Sequence, residues 1–176
     1  MRHTTSKMKM VLVAGFVIYL YVLIKLILFK WGSVDVHMLL YQLQHTLHQP
    51  NRIFDRPGNY TPLKEILRGI HSMSLWNPFL STNLIGNILA FIPLGIFIPK
   101  LFTARGASFI NVCFLSLSLS LCFEVTQLLL FIGTFDVDDL ILNTSGGIVG
   151  WVAWRLFMIR NQPQSHEDLV LSPSSR

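Results

Sequence analysis

The sequence is poor in charged residues. Asp, Glu, Lys and Arg make up 13% of its 176 residues, while 52% of the residues are hydrophobic. A soluble domain of this size carries roughly 25% charged residues. The scarcity therefore excludes an ordinary soluble domain and indicates long runs that span a membrane. The length allows one membrane domain and leaves no room for a second sizeable core.

Cysteine is also scarce. The two cysteines, Cys113 and Cys122, lie in the same apolar run. Their number and placement exclude a disulfide framework, and no C-x-x-C metal signature is present. The sequence likewise has no P-loop, no zinc motif and no Ser-His-Asp order that would indicate a specific reaction. The cysteines are interpreted as small apolar packing residues.

Acidic residues are fewer than basic ones, which gives a net charge of +5 and a pI near 9.5. Such a balance can indicate nucleic-acid binding. Here the basic residues flank the apolar runs instead of forming one soluble face. The charge is therefore interpreted as setting the topology and contacting anionic lipid, with no nucleic-acid partner.

Apolar runs predict an all-α membrane protein, a four-transmembrane-helix bundle within a membrane domain of residues 10–160. The predicted spans are about residues 10–29, 84–102, 109–132 and 139–159. The first run follows a basic start, residues 1–9, as in a signal peptide. Its length of about 20 residues and the lack of a small-residue cleavage site predict an uncleaved helix instead. Residues 161–176, rich in Ser, Pro and Gln, predict a disordered tail.

The segment between the first two spans predicts two amphipathic helices. In the first, apolar residues recur at helical spacing at Val36, Leu40, Leu43 and Leu47. The second is expected to start at Thr61-Pro62, with Thr61 as N-cap and Pro62 as the first helical residue. Its apolar face (Leu63, Ile66, Leu67, Ile70) opposes a basic one (Lys64, Arg68, His71). Both helices are expected to lie in the membrane interface, and ordinary packing on the membrane domain is the alternative.

Basic residues indicate the orientation in the cell membrane. They lie near the N-terminus, around the junction of spans two and three, and at the exit of span four: Arg2, Lys7, Lys9, Lys100, Arg105, Arg155 and Arg160. The turn between spans three and four has three aspartates and no basic residue. The positive-inside rule therefore predicts that both termini are cytoplasmic and that this turn lies outside.

Polar side chains converge on the predicted outer end of the bundle. Ser116, Ser120, Glu124 and Gln127 form one stripe on span three, while Asp139, Asn143, Gly146 and Gly150 share a face of span four. Gly146 and Gly150 form a G-x-x-x-G pair that allows close helix packing. An outward-facing pocket is therefore expected, with Asn87, Glu124, Gln127, Asp138, Asp139 and Asn143 as ligand-binding candidates.

Glu124 is the candidate catalytic residue, because a carboxyl group at this depth of the membrane is costly unless it is paired, protonated or hydrated. It would act as a general acid or base, and a helix–helix hydrogen bond is the structural alternative. Asp136, Asp138 and Asp139 are candidate ligands for a divalent cation such as Mg²⁺ or Ca²⁺. Helix capping is the alternative for Asp138 or Asp139, and a solvated turn position is the alternative for Asp136. No other cofactor is indicated.

Four segments together resemble the VanZ-like membrane family. They are N-P-F at 77–79, G-N-I-L-A-F-I-P-L-G at 86–95, E-V-T-Q at 124–127 and D-V-D-D-L-I-L-N-T-S-G-G at 136–147. The resemblance covers about residues 20–160. It implies an integral membrane protein of the kind associated with reduced sensitivity to teicoplanin, a lipoglycopeptide-type antibiotic. It implies no catalytic mechanism for these positions.

The leading expectation is a non-enzymatic protein of the cell envelope that affects glycopeptide sensitivity. Its expected partners are the lipid bilayer and, at the outer pocket, a lipid-linked cell-wall component or a lipoglycopeptide. One alternative is an intramembrane enzyme that acts on a lipid-linked cell-wall substrate through Glu124. A small transporter is the third.

Overall fold

A computed structural model describes residues 2–30, 32–71, 78–102 and 108–161, without the side chains of residues 2–6 and 78–83. The described residues form six α-helices and one 3-10 turn. The helices are α1 (Arg2–Ile27), α2 (Val36–His48), α3 (Lys64–His71), α4 (Pro78–Leu101), α5 (Phe109–Leu130) and α6 (Val137–Arg160), and the turn is Pro50–Ile53. No β-strand occurs in these ranges, and the all-α class is confirmed.

Three of the helices are long and apolar enough to cross a membrane. They are Lys7–Ile27 in α1, Leu84–Leu101 in α4 and Phe109–Leu130 in α5, which agree with the first three predicted spans. Helix α6 covers the predicted fourth span, 139–159, but is not among them. Its acidic first turn and its polar residues from Asn143 to Ser145 lower its hydropathy. Residues 162–176 lie outside the described part of the chain. The predicted disordered tail falls on these residues and stays a prediction.

Contacts along the long helices show how they run relative to one another. Tyr19 of α1 donates a hydrogen bond to the Ala90 carbonyl of α4, and Gly15 lies beside Phe97. Tyr19 is later in the sequence than Gly15, but its partner in α4 is earlier than Phe97. The two helices are therefore antiparallel. Helices α4 and α6 are parallel, because Gly146 faces Ile88 and Gly150 faces Ile92.

Glycines bring α4 and α6 into backbone contact. A Cβ atom at Gly146 would lie 2.2 Å from the Ile88 carbonyl oxygen, and one at Gly150 would lie 2.0 Å from that of Ile92. The close packing predicted from the G-x-x-x-G pair is therefore confirmed. Gly86 of α4 makes no such contact, because a Cβ there would meet nothing within 4 Å.

Apolar side chains fill the space among α1, α4 and α5. The buried ones are Leu23, Phe91, Leu94, Ile98, Val112 and Phe123. Phe91 and Phe123 meet edge to face, with ring centroids 6.3 Å apart, a favoured aromatic geometry. This core fixes the three long helices and so positions the polar residues at the end where α5 stops and α6 begins.

The two short helices lie at that same end. Helix α2 begins after Asp35, whose side chain caps it by accepting from the Met38 amide, and the Thr46 hydroxyl donates to the Leu129 carbonyl near the end of α5. Helix α3 begins at Lys64, not at Pro62, so the predicted Thr61-Pro62 start is wrong. Leu63 has a φ of 67°, which prevents the helix from extending backwards through it.

Candidate functional site

A cluster of acids and amides occupies the end of the bundle where α5 stops and α6 begins. The name acid–amide cluster is used here for Asn59, Asn87, Glu124, Asp136, Asp138, Asp139 and Asn143. Glu124, Asp138 and Asn143 are each 1% exposed, so their polar atoms have lost almost all contact with water. Buried polar groups need partners inside the protein. The partners found for each residue show what the cluster does.

Glu124 holds the turn between α5 and α6. Its Oε2 atom accepts a hydrogen bond of 2.7 Å from the backbone N–H of Asp136. The preceding turn is already tight, because Phe131 ends α5 in the left-handed conformation with a φ of 56°. Glu124 therefore fixes the direction in which the chain leaves that turn. This contact lies within one hairpin, and the donor is the backbone at the start of α6.

Asp136 joins the hairpin to the loop before α3. Its Oδ1 atom accepts from the Asn59 side-chain amide and from the Asp138 backbone N–H, both at 2.8 Å, and so caps α6. Burial raises the pKa of Asp136 above its ordinary value, while the N–H donors of Asn59 and Asp138 oppose that shift. Asp136 is half-buried and is the N-cap of α6, so these contacts give it a structural role at the turn.

Asn59 is the member of the cluster that sequence reasoning missed. Its backbone N–H donates to the Phe135 carbonyl and its own carbonyl accepts from Val137, forming a bridge with Asp136. In sequence it was only one turn-forming residue among several in a loop. No local pattern marks it, because its partners are 77 positions away.

Asp138 caps a helix other than its own. Its carboxylate accepts from the backbone N–H groups of Leu63, Glu65 and Ile66, at 2.5, 2.7 and 3.1 Å. The first N–H groups of a helix have no partner within that helix, and an acid is favoured beside them. Asp138 therefore supplies the cap that was expected from Thr61. It fastens α3 to the start of α6.

Asp139 and Asn143 continue the cluster into the bundle. Asn87 donates to Asp139 Oδ1 at 2.5 Å, which joins α4 to α6, as their predicted convergence requires. Asn143 donates to Ser120 Oγ at 2.8 Å, which joins α6 to α5. The Asn143 Oδ1 and Ser116 Oγ atoms are buried without a hydrogen-bond partner. The predicted polar stripe of α5 thus faces the interior, since Ser116, Ser120, Glu124 and Gln127 are all buried.

Gln127 faces a different neighbour. Its Nε2 atom donates to the Ile27 carbonyl at 3.0 Å, at the last residue of α1. This bond satisfies a carbonyl that has no partner within its own helix. Gln127 therefore ties α1 to α5, and the structure does not bring it together with Asn87, Asp139 and Asn143.

The three aspartates proposed as cation ligands point to separate partners. Asp136 faces Asn59, Asp138 faces the start of α3, and Asp139 faces Asn87. Within the described ranges, no three His, Cys, Asp or Glu residues are grouped so that they could hold a metal ion. The carboxylates accept hydrogen bonds from protein N–H groups, so the arrangement favours holding segments in place.

Two surface cavities lie at the opposite end of the bundle from the acid–amide cluster. One, of about 430 Å³, is lined by Lys9, Met10, Val13 and Ala14 near the start of α1. The other, of about 180 Å³, is lined by Phe102, Asn111, Phe114 and Leu115. Neither is lined by a residue of the cluster. The predicted outward pocket therefore has no support from these two cavities.

The described residues are helical and include three candidate membrane spans. Buried acids tie the loop before α3, and α3 itself, to one end of the helix bundle. These features define an integral membrane protein. It belongs to the VanZ/LLP1 family, whose family model matches residues 16–158. This confirms the resemblance of the sequence to the VanZ-like membrane family. Of its four motifs, the three at 86–95, 124–127 and 136–147 meet in the cluster. In the fourth, Asn77 lies outside the described residues, as do the side chains of 78 and 79.

One curated relative is Protein VanZ from Enterococcus faecium. The two are 34% identical over 104 residues, which is 56% of this chain and 62% of that protein. The chain thus spans less than two thirds of the length of the relative it matches. No solved structure matches this chain.

Proposed function

We propose that this protein is a non-enzymatic envelope protein that lowers sensitivity to teicoplanin-type lipoglycopeptides. It would do so at the outer face of the cell membrane, by binding the lipoglycopeptide or a lipid-linked cell-wall component. The observation that carries this proposal is the capping of α3 by buried Asp138. Through it, the family's most acidic motif holds an amphipathic helix at one end of the bundle.

The amphipathic helices supply the surface on which a lipid-bearing ligand would rest. Leu40 and Leu47 of α2 and Leu67 and Ile70 of α3 are all more than half exposed. Thr46 places α2 beside the last turn of α5, which is the level at which a membrane span ends. Exposed apolar faces at that level favour an interfacial position. They also fit the lipid chain of the proposed ligands.

The proposal includes a fourth span and an orientation. Helix α6 has 24 residues and lies against α4 in parallel, with its glycines in contact with the α4 backbone. A helix packed along a spanning helix in this way supports a fourth crossing. With four spans and basic flanks on one side, both termini would be cytoplasmic. The acid–amide cluster, α2 and α3 would then lie outside.

Drug susceptibility tests the proposal directly. Expression in a susceptible Gram-positive host should raise the minimum inhibitory concentration of teicoplanin, with a smaller effect on a glycopeptide without a lipid chain. Replacing both Leu67 and Ile70 with serine should remove most of this protection, because the exposed apolar face of α3 is lost. The matched control replaces Phe157 and Ile159 with serine. These residues lie near the end of α6 and, like Leu67 and Ile70, are more than half exposed. Equal teicoplanin sensitivity with and without the membrane-inserted protein would refute the function.

Glu124 separates this function from the enzyme alternative. Glu124→Gln keeps an oxygen that can accept from Asp136, so we expect protection to persist and the free energy of unfolding to change by less than about 1 kcal/mol. Glu124→Ala should cost about 2–4 kcal/mol, since it leaves a buried N–H unpaired and a cavity. Thermal unfolding in detergent measures both variants. Loss of protection in a fully stable Gln variant would instead support acid–base chemistry.

A further inference from the structure

Two arginines stack on one aromatic ring at the end of α5. The guanidinium carbons of Arg52 and Arg56 lie 5.0 and 4.3 Å from the centroid of the Phe131 ring. Both distances are within the range of a cation–π contact. The Arg52 Nη1 atom also contacts the imidazole ring of His45 in α2, and Nδ1 is the nearer of the two ring nitrogens. The side chains are thus positioned by protein contacts.

Among the described residues, neither guanidinium forms an ion pair with a carboxylate. In the part of the chain that the structure describes, the one ion pair is Arg68 with Glu65, on the surface of α3. The Nη1 atom of Arg56 is buried and has no hydrogen-bond partner. A buried donor without a partner is costly, and two positive charges on the same ring repel one another. An anion that contacts both guanidinium groups would offset this repulsion.

We propose that Arg52, Arg56 and Phe131 form a binding site for a phosphate group at the membrane surface. Guanidinium groups present planar forks of N–H donors that match phosphate oxygens. A phosphate group can accept from two such forks at once. The site lies just beyond Leu130, the last residue of a candidate span, where lipid head groups are found. The phosphate would come from a lipid head group or from free phosphate.

The site deepens the proposed function, on which its outer location rests, by naming the chemistry that the interfacial surface would recognise. A lipid-linked cell-wall component presents a phosphate-bearing head group and a lipid chain together. Helix α2 contributes both His45, beside the site, and the exposed Leu40 and Leu47.

Lipid binding to the purified full-length protein tests the site. After delipidation in detergent, native mass spectrometry would compare binding of phosphatidylglycerol to three proteins. These are the wild type, the double variant Arg52→Gln/Arg56→Gln and the control Arg155→Gln/Arg160→Gln, which removes equal charge from exposed positions of α6. We expect the Kd to rise roughly tenfold or more in the first variant and to stay near the wild-type value in the control.

A second arm identifies the source of the phosphate. If inorganic phosphate raises the Tm of the wild type but not that of Arg52→Gln/Arg56→Gln, the site also takes free phosphate. If only phosphatidylglycerol distinguishes the two proteins, the ligand is a head group. Equal binding of both probes by all three proteins would overturn the proposal, and so would equal losses in the two double variants.

Arg56→Lys guards against a double variant that does not fold. It keeps the charge and the aliphatic stem but removes the fork, so phosphatidylglycerol binding should weaken several-fold at an unchanged Tm. Wild-type binding by a folded Arg56→Lys protein would contradict the forked contact. These assays contain no antibiotic. A failed susceptibility test with intact lipid binding would therefore overturn the proposed function and leave the site standing.

Discussion

Replacement of Asp138 by alanine is expected to release α3 from the bundle. The carboxylate accepts three backbone N–H groups at the start of this helix, and hydrogen bonds to a charged group contribute about 1.5–3 kcal/mol each. Helix α3 has only 8 residues, too few to stay helical in isolation. Amide hydrogen exchange over residues 64–71, measured in nanodiscs, should become roughly 100-fold faster.

The control for this change is Asp55→Ala, which removes an exposed acid from the neighbouring loop. Its exchange over 64–71 should match the wild type. Asp138→Asn should fall between the two, because one of its carboxylate oxygens is replaced by an NH₂ group that faces backbone donors. Exchange in Asp138→Ala that stays at the wild-type rate would show that α3 is held by its other contacts, such as Gly69 against Leu84.

The long helices could be predicted from the sequence because their signal is local. Twenty apolar residues in a row have one main solution in a membrane, since every backbone group must find its partner within the helix. The close packing at Gly146 and Gly150, the glycine seam between α4 and α6, could be predicted for a similar reason. The two glycines share a face at helical spacing. The start of α1 could not be predicted this way. The helix extends back from Met10 to Arg2, and a basic segment carries no apolar signal for its end.

The sequence predicted where most residues of the acid–amide cluster lie, but not which hydrogen bonds they make. Helical spacing correctly placed Glu124, Asp139 and Asn87 at one end of the bundle, and the contact between Asn87 and Asp139 follows from it. The partners of Asp136 and Asp138 lie more than 70 positions away, in a loop whose path no periodicity describes. A capping carboxylate also has the same sequence signal whether it caps its own helix or another. The sequence therefore cannot tell which helix Asp138 would cap.

The contacts of the charged residues Arg52 and Arg56 could not be predicted from the sequence either. In sequence they are two basic residues in the long segment between the first two spans, and no motif surrounds them. Their shared contact with Phe131 depends on where the loop crosses the end of α5. That crossing is fixed by the bonds of Asn59 to the turn before α6. A residue without any motif thus positions the arginines that carry the proposed phosphate site.

A methyl group at Gly146 or Gly150 is expected to separate α4 from α6. The atoms that it would meet, 2.2 and 2.0 Å away, are backbone carbonyl oxygens of Ile88 and Ile92, which cannot rotate aside as a side chain can. Overpacking a core costs about 1–3 kcal/mol when side chains yield. Here the helices themselves must shift. Gly146→Ala and Gly150→Ala should each lower the free energy of unfolding in detergent by about 3 kcal/mol or more.

Gly86→Ala provides the matched control, because it makes the same substitution in α4 where a Cβ meets nothing within 4 Å. Alanine is a better helix former than glycine by about 0.8–1 kcal/mol, so this variant should be slightly more stable than the wild type. The change in unfolding free energy is thus expected to have opposite signs in α6 and at Gly86. This difference separates the effect of steric contact from that of helix propensity. Separation of α4 from α6 should also lengthen the Asn87–Asp139 contact near the start of the seam. Equal unfolding free energies for Gly86→Ala and Gly150→Ala would show that α4 and α6 are not in backbone contact in the folded protein.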